Sequence, residues 1–352
     1  MRIFLKGWIL VSLFLVGCSE EEAPPRPTGV CGDADAICDG SIGEGDTSSA
    51  ATTWTEVIVA GQPRITALAT HAKGHGWLAA AGGEVIRVED STLTTMTGCD
   101  SASWLSAWVS TQGRVFLGSG EGAFATLPFD ADATEACERV ESGHAYAITA
   151  LIGFEQDDTV TLYGVDRGGY VLRWTYVEGA STQAAPVTLT QLAASLHDID
   201  GTSPETLVIA GNKLVTGEHF TPVTWRAQDG AWVQETFQSP DPYSTFVDLE
   251  VVTPNLAYAV VVTNAGGRRF LMERVDGVWS HKTFPDGVLP GKLAAFGTTA
   301  LYSATGTTLR FFDGQTWSQV GAASAPIWVM GGSAPDDVWA AGTGGVFLRG
   351  TP

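Results

Sequence analysis

The residues best placed to do chemistry are His197, Asp198 and Asp200, in the run His197-Asp198-Ile199-Asp200. If this run is a strand, side chains alternate, so Asp198 and Asp200 share one face and His197 takes the other. Such a set could hold a cation; a buried polar network is the simpler expectation. His71 and His75 are four apart in a Gly-containing turn, where that spacing sets up no common helix face, and a surface loop is expected there. Arg64, Arg167, Arg268 and Arg269 could each meet a carboxylate, yet nothing in the sequence groups them. Asp33, Asp35 and Asp39 hint at calcium. An EF-hand loop, however, needs a ligand at the fifth position and Gly at the sixth, where this chain has Ile37 and Cys38, so a solvated acidic loop is expected. There is no Gly-rich phosphate loop, no HExxH, no CxxC and no defensible Ser-His-Asp order. Neither a cofactor nor a bound metal is expected.

The elements that must position these residues recur along the chain. Residues 327–349 read as three short apolar strands, IWVMG, VWAAG and VFLR, separated by SAPDD and TGG. Pro335 and its two following Asp residues mark a loop, and Gly344-Gly345 a tight turn. LHDIDGTSPETLVIAG (196–211) aligns with IWVMGGSAPDDVWAAG (327–342) without a gap, with Pro at the ninth place, an acid at the tenth and Gly at the sixteenth. The same strand order recurs from 65, 148, 247 and 293, and the second half of the unit at 107–124. Asp229-Gly230, Asp276-Gly277 and Asp313-Gly314 signal hairpins, each leading into a fourth strand with an early Trp. First strands begin near Arg64, Trp104, Ala147, Ala194, Thr245, Gly291 and Pro326, a period of about 44 residues. Seven four-stranded antiparallel units of that length predict an all-β, seven-bladed β-propeller over residues 51–352. A pair of sandwiches would not repeat the Pro-acid turn and the Asp-Gly-x-Trp hairpin in register.

The last unit lacks its fourth strand after Arg349, while TTWTEVIVA, with its own early Trp54, stands alone before the first. Pairing the two closes the ring and removes an open edge. Cys99 and Cys137 are placed at the ends of the fourth strands of the first two blades, where a bridge between neighbours is the simplest pairing; four non-lipid Cys allow three connectivities.

Of the 352 residues, 39 are Asp or Glu and 19 Lys or Arg, a net charge of −20. That balance argues against nucleic acid and anionic membrane surfaces. At the N-terminus Arg2 and Lys6 precede an apolar run, residues 7–16, too short to span a bilayer. Leu15-Val16-Gly17-Cys18 resembles the bacterial lipobox, and by that resemblance residues 1–18 are a signal peptide and Cys18 carries the lipid. Ser19, with no Asp after the Cys, resembles sorting to the outer membrane or cell surface in Gram-negative bacteria. Residues 19–50 are acidic and Pro-rich, an unpacked tether in which Cys31 and Cys38 are expected to form a local disulfide.

Ser333-x-Pro335-Asp336-Asp337-Val338-Trp339-Ala340-x-Gly342 resembles the repeats of secreted β-propeller lipoproteins of myxobacteria and their relatives. The likeness covers residues 52–349, strongest in the last blade and weakest in the fifth. It implies an envelope-attached propeller and no particular activity. Asp313-Gly314-Gln315-Thr316-Trp317 resembles the sialidase Asp-box but is one residue short, and in that family the box is a structural turn. Propellers commonly bind ligands where the loops from fourth to first strands converge. Here those loops carry Arg64, Trp104, His144 with Tyr146, Tyr243 and Lys292, suited to a protein, peptide or glycan. Ligand-binding residues are therefore expected at Arg64, Trp104, Tyr146, His197, Tyr243 and Lys292, on an envelope-tethered monomeric recognition or scaffolding module. The alternative is an extracellular hydrolase or lyase acting on a polysaccharide, which would show titratable groups converging at the channel mouth.

Overall fold

In a computed structural model of the chain, the described residues are 50–352 except 52, 100–101, 216–218, 265–266 and 283–288. The chain divides into two units, Met1–Thr47 and Ser48–Pro352, and every described residue belongs to the second. Cys18, Cys31, Cys38 and the Asp33-Asp35-Asp39 loop lie outside the described residues.

Seven four-stranded antiparallel sheets follow one another: residues 65–96, 104–141, 148–191, 195–235, 244–282, 292–322 and 327–351, the last joined by Thr53–Ile58. We call them blades 1 to 7; together they form a seven-bladed β-propeller. Each blade is a meander, so its faces have only neighbouring blades to bury against. The strands second in each blade are accordingly near-continuous apolar runs, such as Val115–Ser119 and Asp337–Gly342, buried throughout.

Closure follows the expected route. Thr53–Ile58 pairs antiparallel with Val346–Thr351, from Thr53 opposite Thr351 to Ile58 opposite Val346. Gly350 and Gly321, the latter in blade 6, leave room for the Trp54 ring, since a Cβ on either would come within 3.0–3.2 Å of it. Ala51 N–H donates to the Tyr302 hydroxyl at 2.7 Å, and that hydroxyl donates to Pro335 O at 2.7 Å, tying the closing segment to blades 6 and 7.

The motif Asp of the last blade is a clamp. Asp337 is fully buried and accepts from Gly74 N of blade 1 (3.1 Å), Ser333 Oγ (2.7 Å), Arg349 Nε (2.9 Å) and Trp339 Nε1 (3.3 Å). A residue type that reads as a polar turn in the sequence thus holds blade 7 to blade 1.

Two local expectations are corrected. Asp229-Gly230 and Asp276-Gly277 both have positive φ, as two-residue hairpin turns of this kind require, but at Asp313-Gly314 only the Gly does. There the loop runs four residues between Phe312 and Trp317, and the Asp313 carboxylate accepts from Gln315 N at 2.8 Å and Thr316 N at 2.6 Å, a side-chain-capped turn. Cys137 begins the fourth strand of blade 2, Glu138–Glu141, instead of ending it, while Cys99 follows Thr92–Met96 of blade 1. The two are bonded, Cα to Cα 4.7 Å, so the bridge does link neighbouring blades.

Candidate functional site

The first strands of the blades surround a central cavity of about 580 Å³. Six of the seven carry a bulge at one equivalent place, with the extra residue at Thr66, Leu105, Thr149, His197, Val247 or Trp328; blade 6 pairs without one from Lys292 onward. A bulge re-aims side chains. The faces of each sheet already pack against other blades, so the edge of the first strand is what borders the cavity. His197, Asp198, Ile199 and Asp200 all line it, instead of dividing between cavity and core.

Polar side chains on these strands tie one blade to the next. Thr66 donates to Trp104 O, Ser106 to Ile148 O at 3.0 Å and Thr149 to Leu196 O at 3.1 Å. From blade 4 the same task passes to carboxylates. Asp198 accepts from Leu249 N at 3.0 Å and Asp200 from Val251 N at 2.5 Å. Asp248 accepts from Leu293 N at 2.6 Å and from Lys292 Nζ at 2.6 Å, and that ammonium also donates to Val247 O at 2.7 Å. These acids are therefore structural ties, the polar network expected for Asp198 and Asp200. Asp248 and Glu250 belong with them and were missed in the sequence, although Val247-Asp248-Leu249-Glu250 repeats the pattern of His197-Asp198-Ile199-Asp200 place by place.

Glu250 differs from its neighbours: among the described residues its carboxylate has no hydrogen-bond partner. Burial, then the charges of Asp200, Asp248 and Asp198, push its pKa well up, against the pull of Lys292. Burial and Asp248 likewise raise Asp198, and burial carries Asp200 to about 7 despite its backbone donors. Burial alone would lower Lys292, but Asp248 outweighs it and the ammonium is held charged. Burial, with Arg167 and Lys292 nearby, lowers His197 to about 4, so at neutral pH it is an uncharged imidazole.

A pH dependence follows. A carboxyl whose pKa is raised by folding keeps its proton while the unfolded chain ionises, so stability falls as pH rises from about 4 toward the folded pKa. His197, lowered by folding, acts with the opposite sign between about 4 and 6.5, but three raised carboxyls outnumber it. Glu250→Gln removes one of those charges and breaks no hydrogen bond. It is expected to raise Tm by about 3 °C at pH 8, roughly 1 kcal/mol, with the gain fading below pH 5 in paired thermal melts. An equal gain at pH 4 and pH 8 would refute the charge origin.

The expected ligand residues divide. Arg64 is exposed and lines the cavity, its guanidinium 4.4 Å over the Trp328 ring. Trp328, 44 % exposed and donating to Thr343 Oγ1 at 2.6 Å, was not among the expected residues even though it aligns with His197. Tyr146 and Tyr243, 50 % and 47 % exposed, stand at the starts of the first strands of blades 3 and 5. Tyr146 lies on Gly168, where any Cβ would meet its ring at 2.4 Å, beside the stacked pair His144–Tyr170. Tyr243 packs on His219 at 4.5 Å. His197 and Lys292 line the cavity, the latter engaged by Asp248. Trp104 is the correction: it is fully buried between blades 1 and 2, its indole donating to Gly83 O at 3.1 Å, so it cannot touch a ligand at the mouth. An early aromatic on a first strand looks the same in the sequence whether it points to the mouth or into the seam.

Of the four arginines without a sequence grouping, Arg64 and Arg167 line the cavity and Arg268 and Arg269 do not. His71 and His75 lie on the strands flanking a turn of blade 1, not in a loop, with ring centroids 6.0 Å apart. Among the described residues no group of three or more His, Cys, Asp or Glu is arranged to hold a metal ion.

No family model matches the chain, and no curated relative does. Solved structures do resemble it. YCF48 bound to D1 peptide superposes with a TM-score of 0.63 at 15 % identity, over 85 % of this chain and 97 % of that one. YCF48 from Cyanidioschyzon merolae gives 0.62 at 12 % identity, over 85 % and 98 %. The WD40 β-propeller domain of Doa1 gives 0.60 at 14 %, over 85 % and 95 %. At such identities the likeness shows the fold: the chain is a repeat protein of the β-propeller class.

Proposed function

We propose that this propeller is a recognition module that binds a protein or peptide partner across the face where its first strands begin. The observation that carries it is the ring of half-exposed aromatics, Tyr146, Tyr243 and Trp328, around a 580 Å³ cavity with Arg64 and Arg167 at its wall. Rigid aromatics give contact area at low entropic cost, and a cavity of this size accommodates several side chains. The titratable groups in the channel are largely occupied in holding blades together, which favours binding over catalysis. The neighbour crystallised with a peptide supports the same reading.

A pool of random octapeptides passed over the immobilised full-length protein tests this. Retention is expected, and the combined Tyr146→Ala and Tyr243→Ala substitutions should lower it about tenfold without moving Tm, since truncating interface aromatics typically costs about 1–2 kcal/mol. Undiminished retention by the double variant would move the binding face elsewhere.

We further propose that the module works at the cell envelope, as the likeness to myxobacterial-type propeller lipoproteins implies. Support comes from Arg2, Lys6, the apolar run and the lipobox-like Leu15-Val16-Gly17-Cys18. Cys18→Ser should release the protein from the membrane fraction or block its processing; a variant that still matures and partitions as before contradicts the anchor.

A further inference from the structure

The chain is strongly acidic, and most of the arginines on its blades are spent on ion pairs. Arg87, Arg114, Arg226, Arg274 and Arg349 all lie within 4 Å of a carboxylate. At the channel mouth the pattern reverses. Arg64 and Arg167 are both exposed, both line the cavity, and among the described residues neither guanidinium makes a hydrogen bond or an ion pair. Arg64 rests on the Trp328 ring, which orients a guanidinium face to face and leaves its N–H edge open. His197, on the strand that follows blade 3, adds a neutral imidazole to the same wall. Lys292 is not available in the same way, because Asp248 and Val247 O already hold its ammonium. The acids of blades 4 and 5 form the opposite boundary, so an anion entering the cavity is repelled from that side and confined to the arc of blades 7, 1 and 3.

We infer that the channel mouth is a carboxylate-binding site, in which Arg64 and Arg167 receive a carboxylate of the bound peptide beside the exposed face of Trp328. A planar guanidinium matches a carboxylate with two parallel hydrogen bonds, which gives direction as well as attraction. The inference rests on the peptide-binding reading above and adds what the site selects. The carboxylate has two sources in a peptide: the chain terminus, or an Asp or Glu side chain.

Three random octapeptide pools separate the outcomes on immobilised full-length protein. The first has Asp and Glu and a free C-terminus; the second is C-terminally amidated; the third is amidated and lacks Asp and Glu. The first pool is expected to be retained at least tenfold better than the third. A second pool that behaves like the third assigns the terminus, and one that behaves like the first assigns the side chains. Arg64→Gln with Arg167→Gln should remove the preference, leave the third pool unchanged, and leave Tm unchanged because neither side chain is tied to the fold. Three pools retained equally would overturn the carboxylate site while leaving peptide recognition standing. Retention of no pool would overturn both.

Discussion

A chain lacking residues 53–58 will melt about 10 °C or more below the full-length protein and will associate through its exposed edge. The deletion removes the fourth strand of blade 7 and with it the whole ladder from Thr53–Thr351 to Ile58–Val346. It also removes Trp54 from its seat between Gly321 and Gly350, and Glu56 from its hydrogen bonds to Ser324 of the adjoining segment. Loss of one packed Trp alone typically costs about 3–5 kcal/mol. With the strand the total reaches at least ~5 kcal/mol, and near 2 °C per kcal/mol for a domain of this size the shift is about 10 °C. The edge left by Val346–Thr351 is uncharged apart from Arg349, which invites pairing with a second chain. Differential scanning calorimetry with light scattering reads both effects, and an unchanged melt would contradict closure by this strand.

Asp337→Ala is expected to destabilise by about 3 kcal/mol or more. Removing one partner of a buried ion pair leaves the other charge uncompensated, typically at 3–5 kcal/mol. Here Arg349, Ser333 and the Gly74 amide of blade 1 all lose their acceptor together. Arg349 keeps only its longer contact to Asp90, at 3.5 Å. Asp337→Asn retains one acceptor oxygen and should lose markedly less. Urea unfolding of the two variants distinguishes the account: equal, small losses would mean that Asp337 is not the clamp between blades 7 and 1.

The architecture was legible because it repeats. Pro and acid in one turn, Gly at one place and Trp in one strand recur at a common period, so an orphan strand near Trp54 could be matched to a missing one after Arg349. Roles within the unit were less legible. Asp337 and Asp313 both read as turn residues, yet one is buried under four donors and the other caps an exposed loop. Their difference lies in the neighbouring blade, which a strand pattern does not describe. At the site, strict alternation separated His197 from Asp198, and the bulge brought both to the cavity. Trp104 and Trp328 stand one place apart in the repeat; the first falls in the seam, and the second, at the bulge, faces the mouth. Asp248 and Glu250 were open to recognition from their match with Asp198 and Asp200, and Arg167, on a turn between second and third strands, was not, because only the ring brings that turn to the channel.

Hydrogen–deuterium exchange on the full-length protein, with and without the octapeptide retained most strongly from the random pool, tests the central claim most directly. Protection is predicted at the starts of the first strands, around Arg64, Tyr146, Tyr243 and Trp328, and at the turn holding Arg167. The opposite face, including the turns at Lys73-Gly74 and Asp276-Gly277, should exchange as in the free protein. Protection on that opposite face with none around the channel mouth would contradict the account.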